Sequence, residues 1–297
     1  AESAVIEVTK VEKKAKKTMA PGLYDLTTLQ REANQKYGFS AKETLNIMQR
    51  LYENHKVLTY PRTDSSYIGK DIVPTIRERL KACGVGPYRK LAGALMNKPV
   101  QVNASFVDDK KVSDHHAIIP TEQFVQLDHM TAEERKIYDM VVRRFLAVLY
   151  PAFLYEQVNM EAKAAGEIFA ASGKVVKSQG WKEVYQGSTC DVCEEEAEDE
   201  KKLKDQSLPE LQSGTRLKVL KTSLNTGKTK PPARFTEATL LAAMENPVKF
   251  METRDKEAVK TLGETGGLGT VATRADIIEK LFHSFMMEKK GNEIHIT

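Results

Sequence analysis

A phenol, a guanidinium and a cluster of hydroxyls stand side by side in Thr59-Tyr60-Pro61-Arg62-Thr63-Asp64-Ser65-Ser66. A tyrosine oxygen is a weak nucleophile at its free pKa of about 10 and needs help to lose its proton. Arg62 is a permanent cation whose planar fork of donors fits phosphate oxygens. Together they form a kit for covalent attack on a phosphodiester. Val57-Leu58 leads in as one brief strand. Pro61, with no N–H and a fixed φ, ends regular pairing and pushes Tyr60 towards an extended conformation. Tyr60 is therefore expected at the rim of an element, displayed rather than packed. Spacing alone also fits a polar turn with one half-buried tyrosine.

Other side chains with chemistry are more dispersed. His115 and His116 are adjacent, so on a regular element they point different ways. Neither has partners at zinc-site spacing; a phosphate contact by one and a structural role both fit. Cys190-Asp191-Val192-Cys193 is a lone C-x-x-C pair. A structural zinc needs four ligands, and the acidic neighbours disfavour a reactive thiolate, so the pair reads as part of an exposed loop. Gly263, Gly266, Gly267 and Gly269 lead into a helix with Thr273 as a good N-cap. A helix N-terminus binds anions through its free N–H groups, although a flexible loop fits the glycines as well. No Walker motif or dinucleotide fingerprint follows a strand, which argues against ATP-driven chemistry.

Several elements have to position these groups. Residues 4–9 are strand-like, and the basic run Val11–Lys17 reads as a solvated link. A helical stretch opens at Leu26 and runs to about Lys36. Ser40-Ala41-Lys42-Glu43 is a capping box for a helix that ends near His55 and delivers the chain to Tyr60. Residues 71–97 read as helices broken at Gly84-Val85-Gly86-Pro87, and residues 98–126 lack clear periodicity. Thr131–Glu134 is a second capping box. Its helix turns Ile137, Val141, Phe145 and Val148 to the core, with Arg135, Lys136, Arg143 and Arg144 away from that stripe. Residues 155–186 show short alternating runs broken by glycines, a β pattern; Glu194–Glu200 reads as an exposed acidic loop, and Arg216–Leu220 as a further strand. From Phe235 the chain is helical to about Glu245. A last helix runs from Thr273 to Phe285, and a hairpin turns at Gly291-Asn292.

The chain has 297 residues, enough for two or three domains, and an apolar share of 41%, ordinary for a globular protein. Its net charge of +4 permits nucleic acid as a partner without demanding it. No apolar run is long enough for a membrane span. The N-terminus lacks both a signal-peptide pattern and an initiating Met, as expected of an internal piece of a longer protein or a processed one. Cys83, Cys190 and Cys193 form no disulfide framework, which fits a reducing cytosol.

Leu58-Thr59-Tyr60-Pro61-Arg62-Thr63-Asp64-Ser65 closely resembles the active-site signature of the type IA DNA topoisomerases. Three more stretches resemble that family's blocks, in the family's order: Ser113–Thr121, Arg234–Leu240 and Gly267–Asp276. The second and fourth are most similar to its bacterial topoisomerase III branch. The resemblance implies an α+β, multidomain architecture. Residues 1–19 and 152–231 would form a β-rich arch. Residues 20–151 would form a helical domain carrying the catalytic tyrosine, inserted in the arch. Residues 232–297 would be a partial, winged-helix-like DNA-binding domain.

The resemblance also implies roles. Tyr60 would attack single-stranded DNA and become joined to its 5′ end, with Arg62 stabilising charge on the phosphate. His115 would contact a DNA phosphate, and Thr273 and Arg274 would hold the DNA backbone. A Toprim domain, preceding everything here, would supply a catalytic Glu and an Asp-x-Asp cluster for Mg²⁺. No Asp-x-Asp pair occurs in this chain. The chain alone is therefore expected to bind no metal and to be inactive, with single-stranded DNA and the missing Toprim domain as partners, no ATP, no membrane, and a bacterial cytoplasmic, nucleoid-associated location. Two other classes compare less well. Tyrosine recombinases place their nucleophile after their Arg and His, whereas Tyr60 precedes His115. A non-catalytic single-strand-binding module needs a basic groove and stacking aromatics, and only 7% of residues are aromatic; that counts against it for the whole protein, while it stays the alternative for what this chain alone does.

Overall fold

The computed structural model describes residues 5–187, 208–250, 257, 260–262 and 266–297. Cys190, Cys193, the acidic run 194–200 and Gly263 lie outside the described residues. The chain divides into two units, Ala1–Ala20 with Pro151–Pro231, and Pro21–Tyr150 with Pro232–Thr297.

An antiparallel sheet of order β3-β2-β1-β4 builds the first unit, from β1 (Val5–Thr18), β2 (Phe153–Ala164), β3 (Glu167–Ser178) and β4 (Arg216–Lys218). The lysine run read as a solvated link is instead part of β1. Strand β2 lies along β1 from Glu7↔Lys163 to Thr18↔Phe153 and satisfies its backbone groups. Lys13, Lys14, Lys16 and Lys17 stay exposed, so pairing does not bury their charge. Between β2 and β3 a two-residue turn, Ala165-Gly166, has φ of 48° and 87°. Left-handed backbone at both positions matches the twist of a hairpin. Trp181 closes this unit: its indole N–H donates to Thr18 O at 3.0 Å and its backbone N–H to Pro151 O at 2.8 Å. A Cβ on Gly180 would lie 2.3 Å from Ala152 O, so only glycine lets the chain pass there.

The second unit is built, among the described residues, mainly from the α-helices α1 (Leu26–Tyr37), α2 (Ala41–Glu53), α3 (Ile76–Cys83), α4 (Arg89–Met96), α5 (Ala132–Leu149), α6 (Glu237–Glu245) and α7 (Arg274–His283), followed by a small hairpin of β5 (Met287–Lys290) with β6 (Glu293–Ile296). The capping boxes Ser40/Glu43 and Thr131/Glu134 form as the sequence predicts. Ile137, Val141, Phe145 and Val148 of α5 are buried, as their spacing requires. Arg143 and Arg144, predicted to fall away from the core, are buried as well. A charged head inside a protein must be paired, and both are. Arg143 Nε lies 2.9 Å from each oxygen of Asp139. Arg144 donates to Glu32, to Tyr24 Oη at 3.0 Å and to Gly22 O at 3.1 Å, with its guanidinium 4.2 Å above the Tyr24 ring.

Helices α6 and α7 pack on the start of α2 through Ala41, Leu241, Met244, Ala275 and Ile278. Glu237 accepts the Ala41 N–H at 2.8 Å, and Lys42 pairs with Asp276. Residues 20–151 and 232–297, read from the sequence as separate domains, lie together in this one unit.

Candidate active site

Helix α2 brings the chain to Tyr60. Past Glu53 the backbone turns through Lys56, whose φ of 56° is left-handed, and Val57 and Leu58 are buried. The brief strand of the sequence reading reduces to one antiparallel bridge, Leu58↔Pro120. Around it the two blocks Thr59–Ser66 and Ser113–Thr121 are stitched together. Thr59 N–H donates to Ile119 O at 3.0 Å, Thr59 Oγ1 donates to Ala117 O at 3.1 Å, and Ile119 N–H donates to Thr59 Oγ1 at 2.9 Å. Thr63 Oγ1 donates to His115 O at 3.0 Å, and Ser113 Oγ to Asp64 at 3.1 Å. Ser65 Oγ donates to Lys111 O at 2.7 Å, and Ser66 Oγ to Asp25, the N-cap of α1, at 3.0 Å. The hydroxyls of the signature are thus occupied in holding the loops, and the chemistry is left to Tyr60, Arg62 and the histidines.

Tyr60 is half-buried beside a cleft of about 200 Å³ lined by Thr59, Tyr60, Gly69, Asp71, Val112, Asp114, His115 and His116. Its ring is held between two others. His115 lies tilted against it at 4.3 Å between centroids, and Tyr52, from the last turn of α2, meets it edge-on at 5.6 Å. Arg62 is exposed and makes no hydrogen bond or ion pair with the described residues. The structure therefore brings Tyr60 and His115 together and leaves the Arg62 donors open to solvent. His116, adjacent to His115, sits deeper. Its Nδ1 is 2.7 Å from Ala117 O. A carbonyl only accepts, so Nδ1 carries the hydrogen and Nε2 keeps a lone pair. Burial holds the His116 pKa below the ordinary histidine range, and Arg79 and His115 push the same way against the Ala117 carbonyl and Asp71.

Thr273 and Arg274 stand apart from this cleft. Arg274 is only 3% exposed, and its guanidinium is committed inside the protein. It donates to Leu268 O at 3.2 Å, Thr27 Oγ1 at 3.1 Å and Gly266 O, and Glu245 lies 3.7 Å away. The guanidinium read as a backbone contact for DNA instead pins the glycine loop to α1 and α6. Thr273 is exposed and occupies the N-cap position of α7, but its Oγ1 takes the Thr270 N–H at 2.9 Å and caps no N–H of the helix. The glycines serve packing: a Cβ on Gly267 would lie 2.2 Å from Met244 O. Among the described residues no three His, Cys, Asp or Glu side chains converge to hold a metal ion, so these residues do not fit a Mg²⁺ site.

Tyr52, Asp71 and Asp114 were not singled out from the sequence. Only Tyr52 carried a signal there, as the last aromatic of a periodic helix directly ahead of Tyr60.

Tyr60 stands at the junction of these two stitched blocks, half-buried rather than fully displayed as its sequence context suggested. The chain belongs to the DNA topoisomerase family: the family match runs over residues 1–297. Its similarity to curated relatives places it in the topoisomerase III branch of the type IA enzymes. DNA topoisomerase 3 of Bacillus cereus is 60% identical over 290 residues, and that of Bacillus subtilis is 55% identical over 290 residues. Each alignment covers 98% of this chain and 39% of the relative, so the chain spans 39% of the length of these proteins. The fold is similar to that of full-length topoisomerase I from Thermotoga maritima, with a TM-score of 0.70 at 21% identity over 99% of this chain and 43% of that one. Among the described residues no helix is long and apolar enough to cross a membrane.

Proposed function

We propose that this chain is the nucleophile-bearing part of an enzyme that breaks and rejoins single-stranded DNA and passes a strand through the break. Tyr60 attacks a backbone phosphate and becomes joined to the 5′ end. Arg62 neutralises charge on that phosphate, and the exposed ring of His115 offers a further donor to it. The observation that carries the reading is the meeting of Tyr60 and His115, from two separate blocks, at 4.3 Å on one cleft wall; Arg62, two residues further along the chain, is exposed and has no partner among the described residues. The β unit would act as an arch that opens as a gate, with the tyrosine-bearing helices inserted in it. Residues 232–297, two helices and a hairpin, would be the opening part of a winged-helix-like DNA-binding region. Mg²⁺ and the acid for the leaving oxygen belong, on this reading, to a Toprim domain outside this chain.

Native DNA leaves a 3′ oxygen that needs a proton, and general acid help is worth on the order of 10²–10⁴ in rate. The chain alone is therefore expected neither to relax supercoiled plasmid nor to form a covalent adduct with a labelled single-stranded oligonucleotide plus Mg²⁺. Adding the separately expressed N-terminal part of a DNA topoisomerase 3 restores adduct formation, and Tyr60→Phe abolishes it. Relaxation by the chain alone, or an adduct that survives Tyr60→Phe, would overturn the assignment.

A further inference from the structure

The attack by Tyr60 needs a group that takes the phenol proton, and Arg62 cannot be that group. Three kinds of acceptor line the cleft. Asp71 and Asp114 are exposed carboxylates, and carboxylates as a class are weak bases. Such weak bases lie far from the optimum for a reaction at neutral pH. His115 is packed across the face of the Tyr60 ring, whereas the phenol hydrogen lies in the plane of that ring. His116 remains. It is half-buried in the same cleft wall, and its Nδ1–H is tied to Ala117 O at 2.7 Å. That bond fixes the tautomer and leaves Nε2 as the ring's acceptor.

Resting on the reading of Tyr60 as nucleophile, we propose that Nε2 of His116 accepts the phenol proton during attack, directly or through one water in the cleft. The Tyr60 Oη–P bond forms and the P–O3′ bond breaks. The phenol proton moves to Nε2, and the departing 3′ oxygen takes a proton from water or from an acid outside this chain. On rejoining, the 3′ hydroxyl gives its proton back to water or to the group outside this chain as the P–O3′ bond forms, the Tyr60 Oη–P bond breaks, and the imidazolium returns its proton to Tyr60. Without DNA, Tyr60 Oη has no hydrogen-bond partner among the described residues; catalytic contacts of this kind commonly tighten only when substrate is bound. The charged groups facing His116 are Arg79 from α3, Asp71 and His115. With burial they leave the ring neutral, and so able to accept, at neutral pH.

The test uses this chain and an oligothymidylate whose 5′-phosphate is a 4-nitrophenyl ester. Nitrophenolate leaves without a proton, so the acid missing from the chain is not needed, and the base is read alone. Wild type is expected to release nitrophenolate once per chain and to carry the oligonucleotide on Tyr60, with a rate that falls at low pH as His116 becomes protonated. His116→Asn keeps an amide N–H for Ala117 O but has no group at Nε2. It is expected to slow release by roughly 10²–10⁴ and to remove that low-pH limb. Release from His116→Asn at the wild-type rate overturns the role of His116 and leaves Tyr60 standing. An adduct on Tyr60→Phe, or none on wild type, overturns the nucleophile and this proposal with it. A long-range ¹H–¹⁵N spectrum of the unmodified chain needs no variant: Nδ1–H is the tautomer expected, and Nε2–H would refute the proposal.

Discussion

Among the described residues Tyr60 is placed by two neighbouring rings and not by a hydrogen bond. Contacts of this kind fix the orientation of a side chain while leaving its polar atom free to react. The Tyr52 and His115 rings come from helix α2 and from the second block, so the orientation of Tyr60 depends on both. Arg62 is the contrasting case. It is exposed and has no partner among the described residues, so nothing internal competes with phosphate for its donors. Arg62→Ala is expected to weaken binding of a single-stranded oligonucleotide without altering the melting temperature. Anisotropy titrations over a range of salt should show the log–log salt slope reduced by about 0.7, the loss of one phosphate contact. An unchanged slope would remove Arg62 from the DNA interface.

At the scale of elements, helices α1, α2 and α5 are joined by buried charge. Arg144 of α5 reaches Glu32 of α1 and the Tyr24 hydroxyl ahead of it. Removing one partner of such a pair leaves the other buried and uncompensated, which costs roughly 3–5 kcal/mol. Arg144→Met should lower stability by about that amount in urea unfolding, and adding Glu32→Leu should recover part of it. Helices α2 and α5 meet at Glu134, which accepts from Arg50 Nε at 2.8 Å and from the Thr131 N–H at 2.9 Å, with His55 Nε2 at 3.2 Å. Burial works to raise the Glu134 pKa, but these partners outweigh it and hold it below the ordinary glutamate range. A depressed carboxylate stabilises the fold above its unfolded pKa of about 4.3. That contribution is lost as pH falls through the lower folded value. Thermal melts from pH 6 down to pH 2 should therefore show an acid-dependent loss that Glu134→Gln reduces, since the amide does not titrate in that range.

For the molecule as a whole, the net charge is only +4 on 297 residues, too small to hold DNA by a general field. Affinity has to come from local phosphate contacts that release counterions. Binding of single-stranded DNA by the intact chain should fall steeply between low and moderate salt. Equal affinity at both would mean that the described unit carrying Tyr60 is not a DNA surface. The tyrosine-bearing helices and residues 232–297 share one core around Ala41. Loss of that core by Leu241→Ala should accordingly unfold α2 together with α6 and α7, seen as simultaneous loss of amide protection in all three.

The sequence by itself determined the local chemistry and most of the local structure. Caps at Ser40 and Thr131, the period of α5 and the turn at Gly166 depend on residues a few positions apart, and such interactions are written in spacing. The four signature blocks, in order, were enough to point to the family. Tertiary structure decided what those residues touch. The hydroxyls after Tyr60 became stitches because a distant, aperiodic segment, residues 103–121, runs beside them. Arg144 and Arg274 went inward because partners 112 and 247 residues away, Glu32 and Thr27, came within reach of their guanidinium groups. The lysines of β1 joined a sheet because β2 supplied the backbone partners that a single strand lacks. Whether a charge is solvated, paired or aimed at a ligand depends on neighbours that only the fold assembles, and for that reason Tyr60 and Arg62 were legible beforehand, while which of the two histidines sits deeper and that Tyr52 meets Tyr60 were not.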